Sequence, residues 1–390
     1  MRITDVEAIL LRGDEAYRAT SGTEEAVDNG DWQVLVKVST DEGLVGWSDI
    51  ETLPAAAVAC INGPGLSVLG LRCFRDLLIG EDLHDAEGLW HRLYIGSSYY
   101  GRRGVALHCI SAIDNCLWSI RAQAAGLPLG ELLGPRRCER VTAYASTLFR
   151  ETPEAMAAVA HSYVDRGFRA VKFGWGVFGE DRARDLELVA AAREALGPDR
   201  ALMVDPGWYG AGWKGPWRPR TPEDNVALCE SLAPYHVRWV EDFIHPEHFE
   251  EYAAVRKRSP VPLAAGEQLT TPWEFRRLID EGCVDVVQPD LSRCGGLTVA
   301  RQIAAMVHEH QIDLVPHSWL TDLLTAYSLH LISTLERPLF VEFNVAQSRL
   351  TRGVCGGNLK LNSDGTLTMP TGAGLGVEVD EEFVAAHRAS

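Results

Sequence analysis

The feature that most constrains this fold is an alternation running through residues 140–355: a short apolar run, a turn, then an amphipathic stretch. The apolar runs read as strands at 141–146, 170–173, 202–205, 239–241, 263–265, 284–289, 312–316 and 339–343. Strands that alternate with helices build a parallel sheet, and eight such units predict closure into a (β/α) barrel. Seven runs carry a charged or titratable residue at or near their ends: Lys172, Asp205, Glu241, Glu267, Asp290, His317 and Glu342. These are separated by 33, 36, 26, 23, 27 and 25 residues, a mean of about 28. A TIM barrel spends roughly 30 residues per unit and keeps its chemistry at the strand C-termini. The spacing therefore places one functional group per unit at the end of the barrel where all of them converge.

At 390 residues the chain holds such a barrel and a second domain. The segment 1–50 reads as β, with a hairpin turn at Thr40-Asp41-Glu42-Gly43, and 13–31 as a polar loop. From about 53 to 125 the pattern is helical, best in Ile110–Ile120 and stopped by Gly126-Leu127-Pro128. The stretch 356–390 is a glycine-rich tail with short β pieces. The net charge of −17 argues against a nucleic-acid partner, whose phosphates need a basic face. Nine scattered cysteines without a CxxC pair fit reduced thiols in the cytoplasm. The acids Asp5 and Glu7 and the lack of a long apolar core argue against a signal peptide at the N-terminus. Residues 52–71 are uncharged, but Pro54 and Asn62-Gly63-Pro64-Gly65 interrupt them, so no membrane span is expected.

Asp205, Glu241 and Glu267 end three successive strands and would lie within a few ångströms of one another. Carboxylates so placed repel unless a cation joins them. An all-oxygen set on a rigid barrel suits Mg²⁺. Asp290 and His317 end the next two strands; an Asp bonded to one imidazole nitrogen leaves the other as a general base. Lys172 faces that pair and could neutralise a substrate carboxylate or an enolate oxygen. Glu342 either donates a hydrogen bond when protonated or pairs with Lys172 when ionised.

Several stretches together resemble the enolase superfamily, in its mandelate racemase-like branch: Ala112-Ile113-Asp114-Asn115-Cys116-Leu117-Trp118, Gly126-Leu127-Pro128-Leu129, Ala265-Gly266-Glu267 and Pro289-Asp290-Leu291-Ser292-Arg293-Cys294-Gly295-Gly296. The resemblance spans nearly the whole chain. It implies an α/β fold: a modified (β/α) TIM barrel at 126–355, capped by an α+β domain at 1–125 to which 356–390 returns. It also implies that Asp205, Glu241 and Glu267 bind Mg²⁺ and that His317 with Asp290 is the catalytic dyad. Lys172 becomes the first lysine of the family's Lys-x-Lys motif, and Glu342 its electrophilic acid. Asp290 in place of a lysine separates the chain from the muconate cycloisomerase and dipeptide epimerase branch.

One departure is informative. Gly174 stands where the second lysine of Lys-x-Lys belongs, and that lysine is the family's base on the face opposite the histidine. Inversion of a carbon needs a base on each face; a syn elimination needs one. The departure favours elimination, and the resemblance, several of whose acid-sugar dehydratases also depart from Lys-x-Lys, implies dehydration of an acid sugar, an aldonate or aldarate, to a 2-keto-3-deoxy acid, a carbon–oxygen lyase reaction. Tyr99-Tyr100-Gly101-Arg102-Arg103-Gly104 resembles a stretch in rhamnonate-type dehydratases. The alternatives are a racemase or epimerase of a 2-hydroxy acid, and a catalytically silent metal-dependent binding protein. Arg18, in the loop with Tyr17, and His245, just past Glu241, are candidate substrate contacts; Trp175, Trp208 and Tyr209 are candidate pocket walls. The expected partner is a small carboxylate, and symmetric homo-oligomers are the general expectation for soluble enzymes.

Overall fold

The structure is a computed structural model, and it describes residues 1–13, 32–65, 70–207, 220–345 and 348–389. The loop holding Tyr17 and Arg18, and the pair Trp208 and Tyr209, lie outside the described residues.

Strands β1 (Ile3–Arg12), β2 (Trp32–Thr40) and β3 (Val45–Ile50) form an antiparallel sheet in that order. The expected hairpin turn joins β2 to β3, with the Gly43 N–H donating to the Thr40 carbonyl at 3.2 Å. Five helices follow among the described residues, and the longest, Val105–Ala125, is buried along nearly its whole length. It ends where the sequence predicts: Gly126, at φ +66°, takes the left-handed conformation that closes a helix C-terminus.

The eight expected parallel strands are present: β4 (Arg140–Leu148), β5 (Ala170–Gly174), β6 (Ala201–Asp205), β7 (Val237–Glu241), β8 (Leu263–Ala265), β9 (Val286–Val287), β10 (Asp313–Leu314) and β11 (Phe340–Asn344). They pair in the order β10-β9-β8-β7-β6-β5-β4-β11, a curled sheet with helices between its strands. Expected closure is incomplete: among the described residues no ladder joins β10 to β11. The runs 284–289 and 312–316 yield only two paired residues each, because Pro289 and Pro316 have no N–H to give to a ladder. Side-chain bonds span the seam instead. The Ser318 N–H donates to Glu342 Oε2 at 2.7 Å, and Asn344 Nδ2 donates to the Trp319 carbonyl at 2.7 Å.

The tail runs back over both sheets. Strand β12 (Thr366–Thr368) pairs antiparallel with β4. Further on, Ala389 N–H donates to the Leu10 carbonyl at 2.8 Å, and Lys37 pairs with Glu381 at 2.9 Å. Inside the curled sheet, Tyr144, Ala170, Met203, Trp239, Ala264, Val286 and Val315 form one buried apolar layer. Side chains two residues apart share a strand face. The next inward positions are therefore Ser146, Lys172, Asp205, Glu241, Gly266, Gln288 and His317. The polar site is thus the upper layer of a barrel whose lower layer is sealed with carbon.

Candidate active site

All seven strand-end residues are buried, and the structure draws them together. Lys172 Nζ sits among three carboxylates: it bonds Glu241 Oε1, and lies 3.0 Å from Glu342 Oε1 and 3.9 Å from Asp205 Oδ2. Opposite it, His317 Nδ1 is 2.6 Å from Asp290 Oδ2, and His317 Nε2 is 3.1 Å from Glu267 Oε2. A parallel bridge between Asp290 and His317 holds the dyad's two backbones side by side. The three acids of the trio are divided between cations: Glu241 turns to Lys172, and Glu267 to His317 and to Arg293, at 3.6 Å. As they stand they do not bring one oxygen each within 4.8 Å. Among the described residues, Glu51, Asp290 and His317 do. In that cluster, however, Arg293 already pairs Glu51 at 2.7 Å and Asp290 occupies His317 Nδ1, so its acids have their cations.

The electrostatics show where positive charge is short. Burial, and then the neighbouring Glu241 carboxylate, push the Asp205 carboxyl well above the usual range, which the lysine 3.9 Å away does not offset. Asp242, the residue after Glu241, is buried and pushed up by desolvation and then by Glu267, Glu241 and Asp205, and its Oδ2 has no hydrogen-bond partner among the described residues. Burial would lower the Lys172 pKa, but Glu241 and Glu342 raise it well above the ordinary value. Burial would likewise lower that of His317; Glu267, Glu342 and the Asp290 bond carry it well above. Glu342 moves the other way. Burial raises it, yet Lys172, His317 and a bond with Ser146 bring it down to about 2, and Lys172 Nζ stands 3.0 Å from its Oε1. The all-oxygen donor set Asp205, Glu241 and Glu267, in a pocket where burial and neighbouring carboxylates push the Asp205 and Asp242 carboxyls up, fits a hard divalent cation.

The sequence reading missed several participants. Gln288 Nε2 and Trp239 Nε1 both donate to Glu241 Oε2, at 2.9 and 2.8 Å, and fix that carboxylate from two sides. Arg293 lies half-buried between the barrel and Glu51, which follows β3. Ser146, Gln288 and Trp239 share the period-two inward face that picked out Lys172 and Glu241, so that period would have found them. His245 lies half-buried on the loop after β7; its Nδ1 accepts from the Glu247 N–H at 3.2 Å, and its ring stands 5.0 Å from that of His248.

The mandelate racemase / muconate lactonizing enzyme N-terminal domain matches residues 26–134, and the enolase C-terminal domain-like family matches residues 155–383, more than half of the chain. The chain belongs to the enolase superfamily, in its mandelate racemase-like branch. Its relatives there include acid-sugar dehydratases, and it is an enzyme of lyase type. It is 30% identical to a D-galactarolactone cycloisomerase of Agrobacterium fabrum, over 100% of this chain and 99% of that one. It is 29% identical to a D-galactonate dehydratase of Pectobacterium atrosepticum, over 90% of each. The crystal structure of the 3,6-anhydro-D-galactonate cycloisomerase from Zobellia galactanivorans superposes with a TM-score of 0.85 at 28% identity, covering 100% of both chains. Among the described residues no helix is long and apolar enough to cross a membrane, and all nine cysteines are free.

Proposed function

We propose that this enzyme dehydrates an aldonic or aldaric acid bearing hydroxyls at C2 and C3, giving a 2-keto-3-deoxy acid. The observation that carries the reading is that, among the described residues, the His317–Asp290 pair has no counterpart at position 174, where the family's second base would stand. His317, oriented by Asp290, stands on one face; at position 174, across the barrel, there is no side chain, and Asp205 fills the space. In this reading residues 1–125 and 356–390 cap a barrel of 126–355, and both parts contribute substrate contacts, His245 among them. The enzyme works in the cytoplasm, with free thiols, as a homo-oligomer.

Asp205, Glu241 and Glu267 would hold a Mg²⁺ ion, the metal that superfamily members use. When bound, that ion supplies electrophilic stabilisation to charge developing on the substrate carboxylate. Lys172, buried and held cationic, stabilises the same charge from the opposite wall. Asp290 keeps the Nδ1 proton of His317 in place, so Nε2 is the nitrogen that takes the C2 proton. It can do so only once Glu267 has turned off it. The C–H electron pair passes into an enediolate. It returns as a C2–C3 double bond while the C3–O bond breaks, and the His317 imidazolium gives its proton to the departing hydroxyl, which leaves as water. The enol then ketonises. Ionised Glu342 supports Lys172 rather than donating a proton.

A second reading is favoured by the Agrobacterium and Zobellia relatives, both named cycloisomerases. The same proton removal, with a ring oxygen at C3 as the leaving group, opens a ring and gives an isomer without loss of water. The test is a screen of stereoisomeric aldonic and aldaric acids and their lactones with Mg²⁺, following 2-keto acid formation. His317→Asn should abolish turnover while Mg²⁺ still binds. Retained turnover, or solvent deuterium entering the substrate with inversion and no elimination, would overturn the assignment.

A further inference from the structure

Arg220 lies just before Thr221, which caps the helix Pro222–Leu232. Its Nη1 donates to two carbonyl oxygens on neighbouring strand ends: Gly207 at 3.0 Å and Phe243 at 3.2 Å. Gly207 is two residues past Asp205, and Phe243 is two past Glu241. Both turns hold left-handed backbone, Gly207 at φ +65° and Asp242 at φ +44°. Asp is one of the few non-glycine residues that adopt such a φ, and here it makes the sharp turn that carries the chain out of β7. At Gly207 an added Cβ would come within 2.9 Å of the Trp175 ring, so the turn has no slack. The first turn reaches its carboxylate directly, because the Gly207 N–H donates to Asp205 Oδ1 at 3.2 Å. The second is tied to β8 by the Asp242 N–H, which donates to the Ala264 carbonyl at 3.1 Å. Arg220 lines a cavity of about 210 Å³ together with two acids, Asp224 and the buried Asp185, and a second arginine, Arg182.

A charged donor bonded to two carbonyls at once is stronger and more exact in its geometry than a neutral one. We propose that Arg220 is a positioning residue: it straps the turns after β6 and β7 together, fixes the spacing of Asp205 and Glu241, and thereby sets both the affinity and the selectivity of the site for Mg²⁺. The proposal rests on the reading of Asp205 and Glu241 as metal ligands. It goes beyond that reading by naming what holds them in register. Partners that orient metal ligands typically contribute about ten- to a hundredfold in affinity. Mg²⁺ demands near-ideal octahedral geometry, whereas Ca²⁺ accepts irregular oxygen cages. Loosening the strap should therefore weaken Mg²⁺ more than Ca²⁺.

The experiment is calorimetric titration of Mg²⁺ and of Ca²⁺ into the metal-free full chain, for the wild type, Arg220→Lys, Arg220→Met and Asp205→Asn, alongside the thermal unfolding of each. The expected result is a Mg²⁺ dissociation constant raised about tenfold or more in both Arg220 variants, a smaller change for Ca²⁺, and little loss of melting temperature in Arg220→Lys. Wild-type Mg²⁺ affinity in both variants overturns the strap. So does an equal fall for both ions that tracks a lost melting temperature, the mark of a merely structural role. If Arg220→Met does not fold, Arg220→Lys decides. A wild-type chain that takes up no Mg²⁺, or Asp205→Asn binding it as tightly as wild type, overturns the ligand assignment itself, and the strap falls with it.

Discussion

Gly174 and Asp205 are register partners on β5 and β6, and a Cβ built on Gly174 would stand 2.9 Å from Asp205 Oδ2 and 3.1 Å from its Cβ. The glycine is thus a steric condition for the carboxylate beside it as well as the loss of a base. Backbone freedom is not the issue, since Gly174 is not among the residues with positive φ. Gly174→Ala should displace Asp205 and cost about 1–3 kcal/mol of stability through overpacking. It should also weaken Mg²⁺ uptake, measured by urea unfolding and metal titration. Gly174→Lys should not confer racemase activity, because the space a second lysine needs is already occupied; deuterium exchange with inversion in that variant would contradict this.

Lys172 balances three buried acids, and its loss leaves them without that cation. Lys172→Met should abolish turnover and destabilise the chain by about 3–5 kcal/mol, the cost of breaking a buried pair from one side. The effect should depend on pH in a known direction. Glu342, with a folded pKa brought down to about 2, contributes stability that is present above its ordinary value and lost as pH falls toward 2. Without Lys172 that contribution disappears. The gap between variant and wild type should therefore stay level from neutral pH down to about pH 5 and narrow as pH falls from 4.5 toward 2 in urea unfolding.

How much of this site could be read from sequence follows from which residues carried a signal. Lys172, Asp205, Glu241, Asp290, His317 and Glu342 were legible because each is a charge at the end of an apolar run, where burial is otherwise expected. Gln288 and Ser146 occupy equivalent inward positions, but neutral polar residues at a strand end look like the start of any loop. Arg293 was visible within its motif, yet its role depends on Glu51, 242 residues earlier, and no local pattern encodes so distant a contact. The open seam between β10 and β11 was legible in principle, since Pro316 cannot complete a ladder; counting eight strand periods overrode that local chemistry.

Arg293 joins the N-terminal sheet to the barrel: its Nη2 pairs with Glu51 Oε1 at 2.7 Å, and its Nη1 donates to the Glu267 carbonyl at 3.4 Å. Glu51 Oε2 lies 3.8 Å from His317 Nδ1, so the same carboxylate also faces the dyad. A double-mutant cycle of Glu51→Gln and Arg293→Met should give a coupling energy of about 1–3 kcal/mol in urea unfolding. Both single variants should lose turnover, because the wall beside His317 is built from this pair. Additive effects on stability would mean that the contact does not join the two sheets energetically.

His330 is buried, and both its ring nitrogens are used: Nδ1 accepts from the Gly130 N–H at 3.0 Å and Nε2 donates to the Leu375 carbonyl at 2.8 Å. Only the neutral ring can make both bonds, and burial pushes its pKa down to about 4. The sign follows from proton counts. Between pH 6.5 and 4 the unfolded chain binds a proton that the folded chain refuses, so stability falls as the solution is acidified through that window. The full effect is about 3 kcal/mol by pH 4. His330→Gln, which has no proton to take up, should be less stable at pH 7 but show a flatter decline between pH 6.5 and 4.5. Equal slopes for the two proteins would mean that His330 takes up its proton in the folded chain without penalty, and that the tie from the Asp322–Ile332 helix to Leu375 survives the charge.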